Sequence, residues 1–336
     1  MRAAVYPGGG RPLVIERLPD PIPGPGELLV RIHRCGICGT DLTMTKGGPW
    51  DFPPGTVPGH EYAGEVVALG KGVQGFRVGD RITALPSSGC GRLTCLACRE
   101  GNLTLCRDAP GVMGGFGEYL RVPQGSAVKL PAHLSLADGA LVEPLAVGLY
   151  GVRQASLRPG ERVLVMGGGT VALATLYWAR RSGAGRIAAI SRSDRRRELA
   201  LQFGADAFLR YGEGEEEAVR EVLGGPPDVV FECVGAAGLL QKAIAHVRLF
   251  GRVVSLGFCI APDPVIPAVA AFKAVTLKFP VGYTLADFRH VVDGLDRGHV
   301  DPKIMVTSEV PLEALPEKFE ALRGPNAETK ATVVLP

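Results

Sequence analysis

Apolar and polar positions follow two different patterns along this chain. In the first 130 residues, short apolar runs at 28–32, 64–69 and 81–85 are separated by Gly- and Pro-rich turns, which predicts a β-rich, irregular domain. From about Glu161 onwards, strand-like apolar runs alternate with helical stretches. That alternation predicts βαβ units, and therefore an α/β, doubly wound parallel sheet with helices on both faces.

The elements of this second region follow from the same pattern. We expect strands at 163–166, 187–190, 229–233 and 253–257, a further strand from about Val275, and helices at 172–181, 195–203 and 239–249. After Gly282 the pattern predicts an amphipathic helix over 285–297 and a last strand over 332–335, which can return to the first domain. The acidic run 213–217 is interpreted as a solvated turn.

Size, charge and the N-terminus restrict the class of protein. A chain of 336 residues exceeds what one core usually supports, so two domains are expected. The net charge of +3 comes from interspersed acids and bases, so neither nucleic acid nor an anionic membrane is an expected partner. The first residues lack the pattern of a signal peptide, and no apolar run is long enough to span a membrane. We therefore expect a cytoplasmic protein that acts on small molecules.

Cysteines are concentrated in the first domain. Six of the eight lie between Cys35 and Cys106, which in a reducing compartment indicates metal binding or catalysis rather than disulfides. Four of them, Cys90, Cys95, Cys98 and Cys106, fall in one short polar segment with the spacing of a closed, structural zinc site; the alternative is a set of free surface thiols. Cys233 and Cys259 lie in apolar runs typical of core residues.

A second candidate metal site is dispersed along the chain. Cys38, the pair His60-Glu61, and Glu143 offer one thiolate, one imidazole and carboxylates. Such a set suits a catalytic zinc that keeps one position open for water or substrate. Spacing alone does not establish that these residues meet.

A glycine-rich turn marks a candidate dinucleotide site. Gly167, Gly168 and Gly169 follow a predicted strand, and Thr170, Val171 and Ala172 open a predicted helix. In this fingerprint the glycines let the backbone approach a pyrophosphate at the helix N-terminus, and alanine is accepted at the last position.

The end of the next strand favours NADP over NAD. An NAD enzyme usually presents an acid at this position to the ribose hydroxyls, but this chain has Ser191 followed by Arg192, with Arg196 shortly after. A hydroxyl and guanidinium groups offer donors and positive charge to a 2′-phosphate. NAD stays open as an alternative, in which the arginines at 195–197 only solvate a helix start and Asp194 serves the ribose.

Five motifs together resemble the zinc-containing medium-chain dehydrogenases, in particular the polyol, butanediol and threonine dehydrogenase branch. They occur in the family's order over essentially the whole chain: Cys-Gly-Ile-Cys-Gly-Thr-Asp at 35–41, Gly-His-Glu at 59–61, the four-cysteine segment, Glu-Pro-Leu at 143–145, and the triple-glycine turn. The resemblance implies a GroES-like catalytic domain at 1–144 and 285–336 with a structural zinc lobe at about 88–108. It implies a Rossmann domain at 145–284, two zinc ions per chain, and an active site in the cleft.

The same resemblance implies roles for individual residues. Cys38 and His60 would bind the catalytic zinc, Glu61 would be a third ligand or exchange with water, and Glu143 would lie beside the metal. Asp41 would orient the zinc histidine. Thr40 would relay the hydroxyl proton, Lys330 would lie near the cofactor pyrophosphate, and the nicotinamide would rest against the strand ends near Cys233 and Gly257. The alternatives are a turn-capping hydroxyl for Thr40 and a surface acid for Glu143.

Two departures from the family pattern concern the metal sites. Four residues separate Cys90 from Cys95 where relatives usually have two, so the first turn of the lobe must bulge. Relatives often carry a histidine shortly after the Thr-Asp pair, and this chain has Leu42-Thr43-Met44 there.

The sequence thus predicts a zinc-dependent alcohol or polyol dehydrogenase that transfers hydride between an alcohol, or its ketone or aldehyde, and NADP(H). The alternatives are a zinc-free quinone or enoyl reductase of the same superfamily and a non-catalytic sensor that binds the cofactor. A homodimer or homotetramer is expected from the resemblance, with 275–283 as the candidate edge-strand interface.

Overall fold

The structure is a computed structural model that describes residues 1–109 and 111–336. It divides into two compact units. Unit 1 comprises Met1–Glu143, Tyr283–Asp296 and Pro302–Pro336, and unit 2 comprises Pro144–Gly282 and Arg297–Asp301. Among the described residues, no helix has both the length and the apolar character needed to cross a bilayer.

Strands and helices occur in both units. The strands are β1 (Arg2–Val5), β2 (Val14–Arg17), β3 (Glu27–Gly36), β4 (Glu61–Leu69), β5 (Arg81–Ala84), β6 (Tyr119–Pro123), β7 (Ala127–Lys129), β8 (Arg162–Met166), β9 (Arg186–Ser191), β10 (Ala207–Arg210), β11 (Val229–Glu232), β12 (Arg252–Ser255), β13 (Thr276–Lys278), β14 (Val306–Pro311) and β15 (Lys330–Val334). The α-helices are α1 (Gly39–Thr43), α2 (Leu96–Arg99), α3 (Leu136–Gln154), α4 (Thr170–Arg181), α5 (Arg197–Gln202), α6 (Glu215–Leu223), α7 (Leu239–His246), α8 (Pro267–Phe272), α9 (Leu285–Gly294) and α10 (Leu315–Ala321).

Unit 1 is built around the long strand β3. Its alternate residues Leu28, Val30 and Ile32 are fully buried, as expected for a strand with one face in the core. β3 pairs antiparallel with β4, β6 and β15, and the sheet has the order β14-β15-β3-β4-β5-β7. The C-terminal strand β15 therefore lies beside β3, which brings the end of the chain next to the Cys-Gly-Ile-Cys motif.

Unit 2 is a parallel sheet with the order β10-β9-β8-β11-β12-β13. The α/β fold class is confirmed. The order of the strands reverses between β8 and β11, and in open α/β sheets ligands bind outside the carboxyl ends of the strands at that point. The triple-glycine turn follows β8, so it lies at this edge.

Two expectations about local structure were wrong. The acidic run is not a solvated turn, because Glu215, Glu216 and Glu217 form the first turn of α6, where negative charge interacts favourably with the helix dipole. Glu215 is largely buried, and its carboxylate accepts a hydrogen bond from Lys242 Nζ at 2.8 Å. Cys259 is a half-buried residue beyond the end of β12 rather than a core residue.

The candidate edge-strand interface also needs correction at one end. Tyr283 is 1% exposed and belongs to unit 1, so it does not continue the edge strand β13. Its hydroxyl is hydrogen-bonded to the buried carboxylate of Glu143 in the same unit.

Candidate metal centres and cofactor site

The first candidate metal centre lies just after the end of β3 and just before and at the start of β4. β3 ends at Gly36, Cys38 caps the N-terminus of α1, and His60 precedes β4, whose first residue Glu61 pairs with Gly36. Ligand atoms of Cys38, His60 and Glu61 all lie within 4.8 Å of one another. The thiolate, imidazole and carboxylate needed for a zinc site with an open position are therefore assembled in the fold.

Asp41 fixes the orientation of the His60 ring. Its Oδ1 lies 3.3 Å from His60 Nδ1, and its Oδ2 accepts a hydrogen bond from the Cys38 backbone N–H at 3.1 Å. With Nδ1 facing Asp41, the other ring nitrogen is available as a metal ligand. Burial lowers the pKa of His60, but the charge of buried Asp41 outweighs this and raises that pKa well above its usual value. Zinc binding would displace the proton.

Thr40 lies directly beside the candidate zinc ligand. Its hydroxyl donates a hydrogen bond to Cys38 Sγ at 3.1 Å. The side chain therefore faces the metal ligands, and its hydroxyl can both donate and accept a proton there.

Glu143 is a buried acid, which excludes its interpretation as a surface residue. Its Oε1 accepts a hydrogen bond from the hydroxyl of Tyr283 at 2.8 Å. Burial, with a contribution from the charge of Glu61, raises the pKa of Glu143 to about 7, while His60 and Tyr283 act in the opposite direction. The close group of ligand atoms among the described residues contains Cys38, His60 and Glu61 but not Glu143.

Lys330 is engaged within unit 1. Its Nζ lies 2.6 Å and 2.7 Å from the two carboxylate oxygens of Glu61 and also donates to the backbone carbonyl of Ile37. Burial opposes its charge, but Glu61 holds the pKa of Lys330 above its usual value. The structure thus gives Lys330 a partner in the metal centre, and its contact with a cofactor pyrophosphate stays a prediction.

The second candidate metal centre is the four-cysteine lobe. The Sγ atoms of Cys90 and Cys98 are 3.7 Å apart, and those of Cys95 and Cys106 are 3.8 Å apart. Four sulfurs at about 2.3 Å from a tetrahedral zinc are separated by about 3.8 Å, so these distances are those of a zinc site and far longer than a disulfide bond. The extra residues between Cys90 and Cys95 are accommodated, since all four ligand atoms lie within 4.8 Å of one another.

The glycine turn of unit 2 has the backbone of a phosphate site. Gly167 has a φ of 122°, which favours glycine, and α4 begins at Thr170 with Gly169 as its N-cap and no side chain capping it. The first backbone N–H groups of α4, among them those of Thr170 and Val171, lie at the positive end of the helix dipole, which is where a turn of this kind holds an anion.

The residues expected to select the cofactor lie against this turn. A Cβ atom built on Gly168 would be 3.4 Å from Arg196 Cβ and 3.7 Å from Ser191 Oγ. Asp194 faces other partners: it accepts from Arg197 Nη2 at 2.6 Å and lies 3.8 Å from Arg210. Arg192 is exposed on the same segment.

The remaining cofactor candidates lie at the carboxyl ends of β11 and β12. Cys233 directly follows β11, and Gly257 lies two residues beyond β12. A Cβ atom on Gly257 would be 2.0 Å from the backbone nitrogen of Gly235, so only glycine fits there. The buried side chain of Glu232 lies 2.6 Å from the same position.

Sequence reasoning missed two residues of these sites. Tyr283 contacts Glu143 from a point 140 residues further along the chain, and no local pattern indicated this contact. Glu232 had a signal, because a charged residue ends an otherwise apolar strand immediately before Cys233.

Comparison with known proteins gives the same picture. The alcohol dehydrogenase GroES-like domain matches residues 24–132, and the zinc-binding dehydrogenase domain matches residues 170–297. Sorbitol dehydrogenase of Bacillus subtilis is 33% identical over 99% of this chain and 97% of its own length, and (R,R)-butanediol dehydrogenase of the same organism is 33% identical over 95% of each chain. A Sinorhizobium meliloti protein described as a zinc-binding dehydrogenase and solved bound to NADP superposes with a TM-score of 0.88, at 30% identity over 99% of this chain and 98% of the other.

The fold, the clusters of metal-ligating side chains and the glycine turn together define the class of this protein. It is a zinc-binding oxidoreductase with a GroES-like and a Rossmann domain. The chain belongs to the zinc-type medium-chain alcohol dehydrogenase family. Zinc and a nicotinamide cofactor, and a small molecule as substrate, follow from that membership.

Proposed function

We propose that this protein is an NADP(H)-dependent dehydrogenase of secondary or primary alcohols, with diols and sugar alcohols as the substrate class. Two zinc ions per chain would be bound, one at Cys38, His60 and Glu61 and one in the four-cysteine lobe. The observation that carries the proposal is the assembly of Cys38, His60 and Glu61 within 4.8 Å, with Asp41 orienting the histidine. The names of the sorbitol and butanediol dehydrogenase relatives support the substrate class.

Zinc would supply a Lewis acid that lowers the pKa of an alcohol hydroxyl into the physiological range. The Thr40 hydroxyl, held 3.1 Å from Cys38 Sγ, is the group of this chain that can accept the hydroxyl proton and pass it on to water. A bound oxidised nicotinamide would supply the hydride acceptor, so oxidation of an alcohol would give a carbonyl compound, NADPH and one proton. In the opposite direction a ketone or aldehyde would take up a hydride and a proton.

The preference for NADP rests on the surroundings of the glycine turn. Ser191 and Arg196 lie next to Gly168, where a hydroxyl and a guanidinium suit a 2′-phosphate. The rival assignment of Asp194 to the ribose hydroxyls is disfavoured, because its carboxylate is paired with Arg197 and Arg210. The NADP-bound relative from Sinorhizobium meliloti adds support.

The two alternative functions, a zinc-free reductase and a non-catalytic sensor, have less support from the residues of the site. A zinc-free quinone or enoyl reductase has no use for the assembled Cys38, His60 and Glu61. A non-catalytic sensor would bind cofactor without oxidising any alcohol. We further propose a cytoplasmic homodimer or homotetramer in which the edge strand β13, followed by exposed Phe279 and Val281, lies at the interface between copies.

Metal analysis combined with cofactor titration tests the proposal. The purified protein should contain about two zinc ions per chain and bind NADPH at least about tenfold more tightly than NADH. It should then oxidise members of a panel of diols, sugar alcohols and simple secondary alcohols, with carbonyl product formed in step with NADPH. A protein that binds the cofactor but oxidises no member of the panel would support the sensor alternative, and a zinc-free active protein would support the reductase.

A further inference from the structure

Glu232 is a buried carboxylate that the proposed mechanism does not use. Glu232 is 2% exposed and is the last residue of β11. β11 lies next to β8, the strand that the glycine turn follows, at the point where the strand order reverses. Oε1 accepts hydrogen bonds from the backbone N–H groups of Val234 at 2.6 Å and Gly235 at 2.8 Å, and Oε2 accepts from Ser255 Oγ at 3.1 Å. One carboxylate therefore joins the loop that follows β11 to the last residue of β12.

The contacts of Glu232 are those of an ionised group without a counter-charge. Two backbone N–H groups and a hydroxyl all donate to it, which is the pattern of an acceptor-only carboxylate. Within the described chain, Glu232 forms no ion pair with Lys, Arg or His. Only the dipoles of these three donors stabilise the negative charge of Glu232. The electric field of that charge therefore extends into the surroundings of the carboxyl ends of β11 and β12.

Those surroundings are the cofactor side of the sheet. A Cβ atom on Gly167, the first glycine of the phosphate turn, would lie 3.1 Å from Val234 Cγ2 and 3.6 Å from the carbonyl carbon of Cys233. The loop fixed by Glu232 is thus in contact with the turn that receives the pyrophosphate. The strand order reverses between β8 and β11. On the far side of that point from the glycine turn, the nicotinamide half of a dinucleotide is expected over β11 and β12, the two strands that Glu232 joins.

Oxidised and reduced nicotinamide differ by one positive charge on the ring. Resting on the proposed cofactor function, we propose that Glu232 is a positioning residue whose buried charge selectively stabilises the oxidised cofactor. Two consequences follow. Hydride transfer from the alcohol would remove the ring charge that Glu232 favours, and release of the reduced cofactor would be promoted relative to release of the oxidised one.

The test is the ratio of the dissociation constants of NADP⁺ and NADPH for the zinc-loaded protein and its Glu232→Gln variant. Glutamine can keep the local contacts, because its carbonyl can accept from Val234 and Gly235 while its NH₂ donates to Ser255 Oγ. The variant should bind NADP⁺ about tenfold more weakly and NADPH with little change, which is the order of magnitude for one unit charge in a partly screened site. Titration calorimetry for NADP⁺ and cofactor fluorescence for NADPH give the two constants.

Two controls separate charge from structure. Ser255→Ala removes one hydrogen bond but keeps the carboxylate, so it should leave the ratio unchanged. Asp228→Asn removes a charge just before the amino end of β11, where Asp228 pairs with Arg162 and Arg248, and should also leave it unchanged. Should Glu232→Gln fail to fold, Glu232→Asp and Glu232→Asn form a second pair of variants whose side chains are equal in size. The Glu232→Asp variant keeps the charge, so it should have the lower ratio of the NADP⁺ to the NADPH dissociation constant.

The outcomes are distinct. Equal weakening of both redox forms, or no change in the ratio, would overturn the charge role of Glu232 while leaving the dehydrogenase proposal intact. If the wild type prefers NAD⁺ and NADH, the same ratio is measured with that pair, and only the NADP preference is lost. A wild type that binds neither pair would overturn the cofactor function and this inference together.

Discussion

Lys330 and Glu61 form a buried ion pair on the two strands that flank β3. Both residues are the first of their strands, β15 and β4, and Nζ lies 2.6 Å from the nearer carboxylate oxygen. Gly36 at the end of β3 leaves room for the pair, because a Cβ atom there would lie 2.0 Å from Glu61 Oε2. The C-terminal strand of the chain thus sets the charge balance beside the candidate zinc ligands.

Removing Lys330 should destabilise the metal-free protein. Lys330→Met leaves the buried carboxylate of Glu61 without its partner, which typically costs about 3 to 5 kcal/mol. Denaturant unfolding of zinc-free samples measures this loss. Addition of zinc should recover much of it, since the cation then compensates Glu61. Lys318→Met, which breaks the more exposed pair with Glu328, is the matched control and should cost less. Equal losses in both variants would show that burial does not increase the contribution of the Lys330–Glu61 pair.

Glu143 should make the stability of the metal-free protein depend on pH. Burial raises its pKa to about 7 from an ordinary 4.5, so the folded state holds a proton that the unfolded state has lost between these values. The stabilisation is complete below about pH 4.5 and is lost as the pH rises through 7, an effect of about 3 kcal/mol. Unfolding of zinc-free wild type and Glu143→Gln between pH 4.5 and 8 measures it. The variant should lack this part of the slope, and identical slopes would show that Glu143 does not titrate in this range.

The contrast between Gly167 and Tyr283 shows how much of this molecule its sequence could predict. The glycine turn, the four cysteines and the Cys-Gly-Ile-Cys motif are local patterns, so the α/β class, the family and the candidate ligands could be read directly. The bonds from Tyr283 to Glu143 and from Lys330 to Glu61 join residues 140 and 269 positions apart. Such contacts depend on strand order and register, which apolar periodicity does not determine.

Short elements were also beyond the sequence pattern. The acidic run did not predict the helix α6, which begins at Glu215. Negative charges are as common in the first turn of a helix as in a solvated turn, so the pattern did not distinguish the two. The four residues of β10 carry Arg210 at their end and gave too short an apolar run to be recognised as a strand.

The four-cysteine lobe should hold one zinc ion independently of the first centre. Cys98→Ser should reduce the metal content from about two zinc ions per chain to about one, because three thiolates bind zinc more weakly than four. Limited trypsin digestion should then cut faster at Arg92 or Arg99, because a lobe without zinc loses the ligand bonds that hold its backbone. Cys259→Ser removes a thiol outside both clusters and should retain both ions and the wild-type rate of cleavage. Loss of zinc in the control alone would contradict the assignment.

Ser191 should control the choice between the two nicotinamide cofactors. Ser191→Asp places a carboxylate next to Gly168, where it repels a 2′-phosphate and can accept from ribose hydroxyls. The ratio of the NADPH to the NADH dissociation constant should rise at least about tenfold. Ser182→Asp adds the same charge at the other end of α4 and should leave the ratio unchanged. An unchanged ratio for Ser191→Asp would remove the structural basis of the NADP assignment.

Cys38, His60 and Glu61 are proposed to hold a zinc ion on which alcohol oxidation depends. The most direct measurement is alcohol-dependent NADPH formation by Cys38→Ser, with zinc counted on the same sample. We predict about one zinc ion per chain, retained in the cysteine lobe, and a loss of activity of at least about a thousandfold. A Cys38→Ser protein that keeps two zinc ions and its full activity would show that the catalytic metal is not bound at these residues.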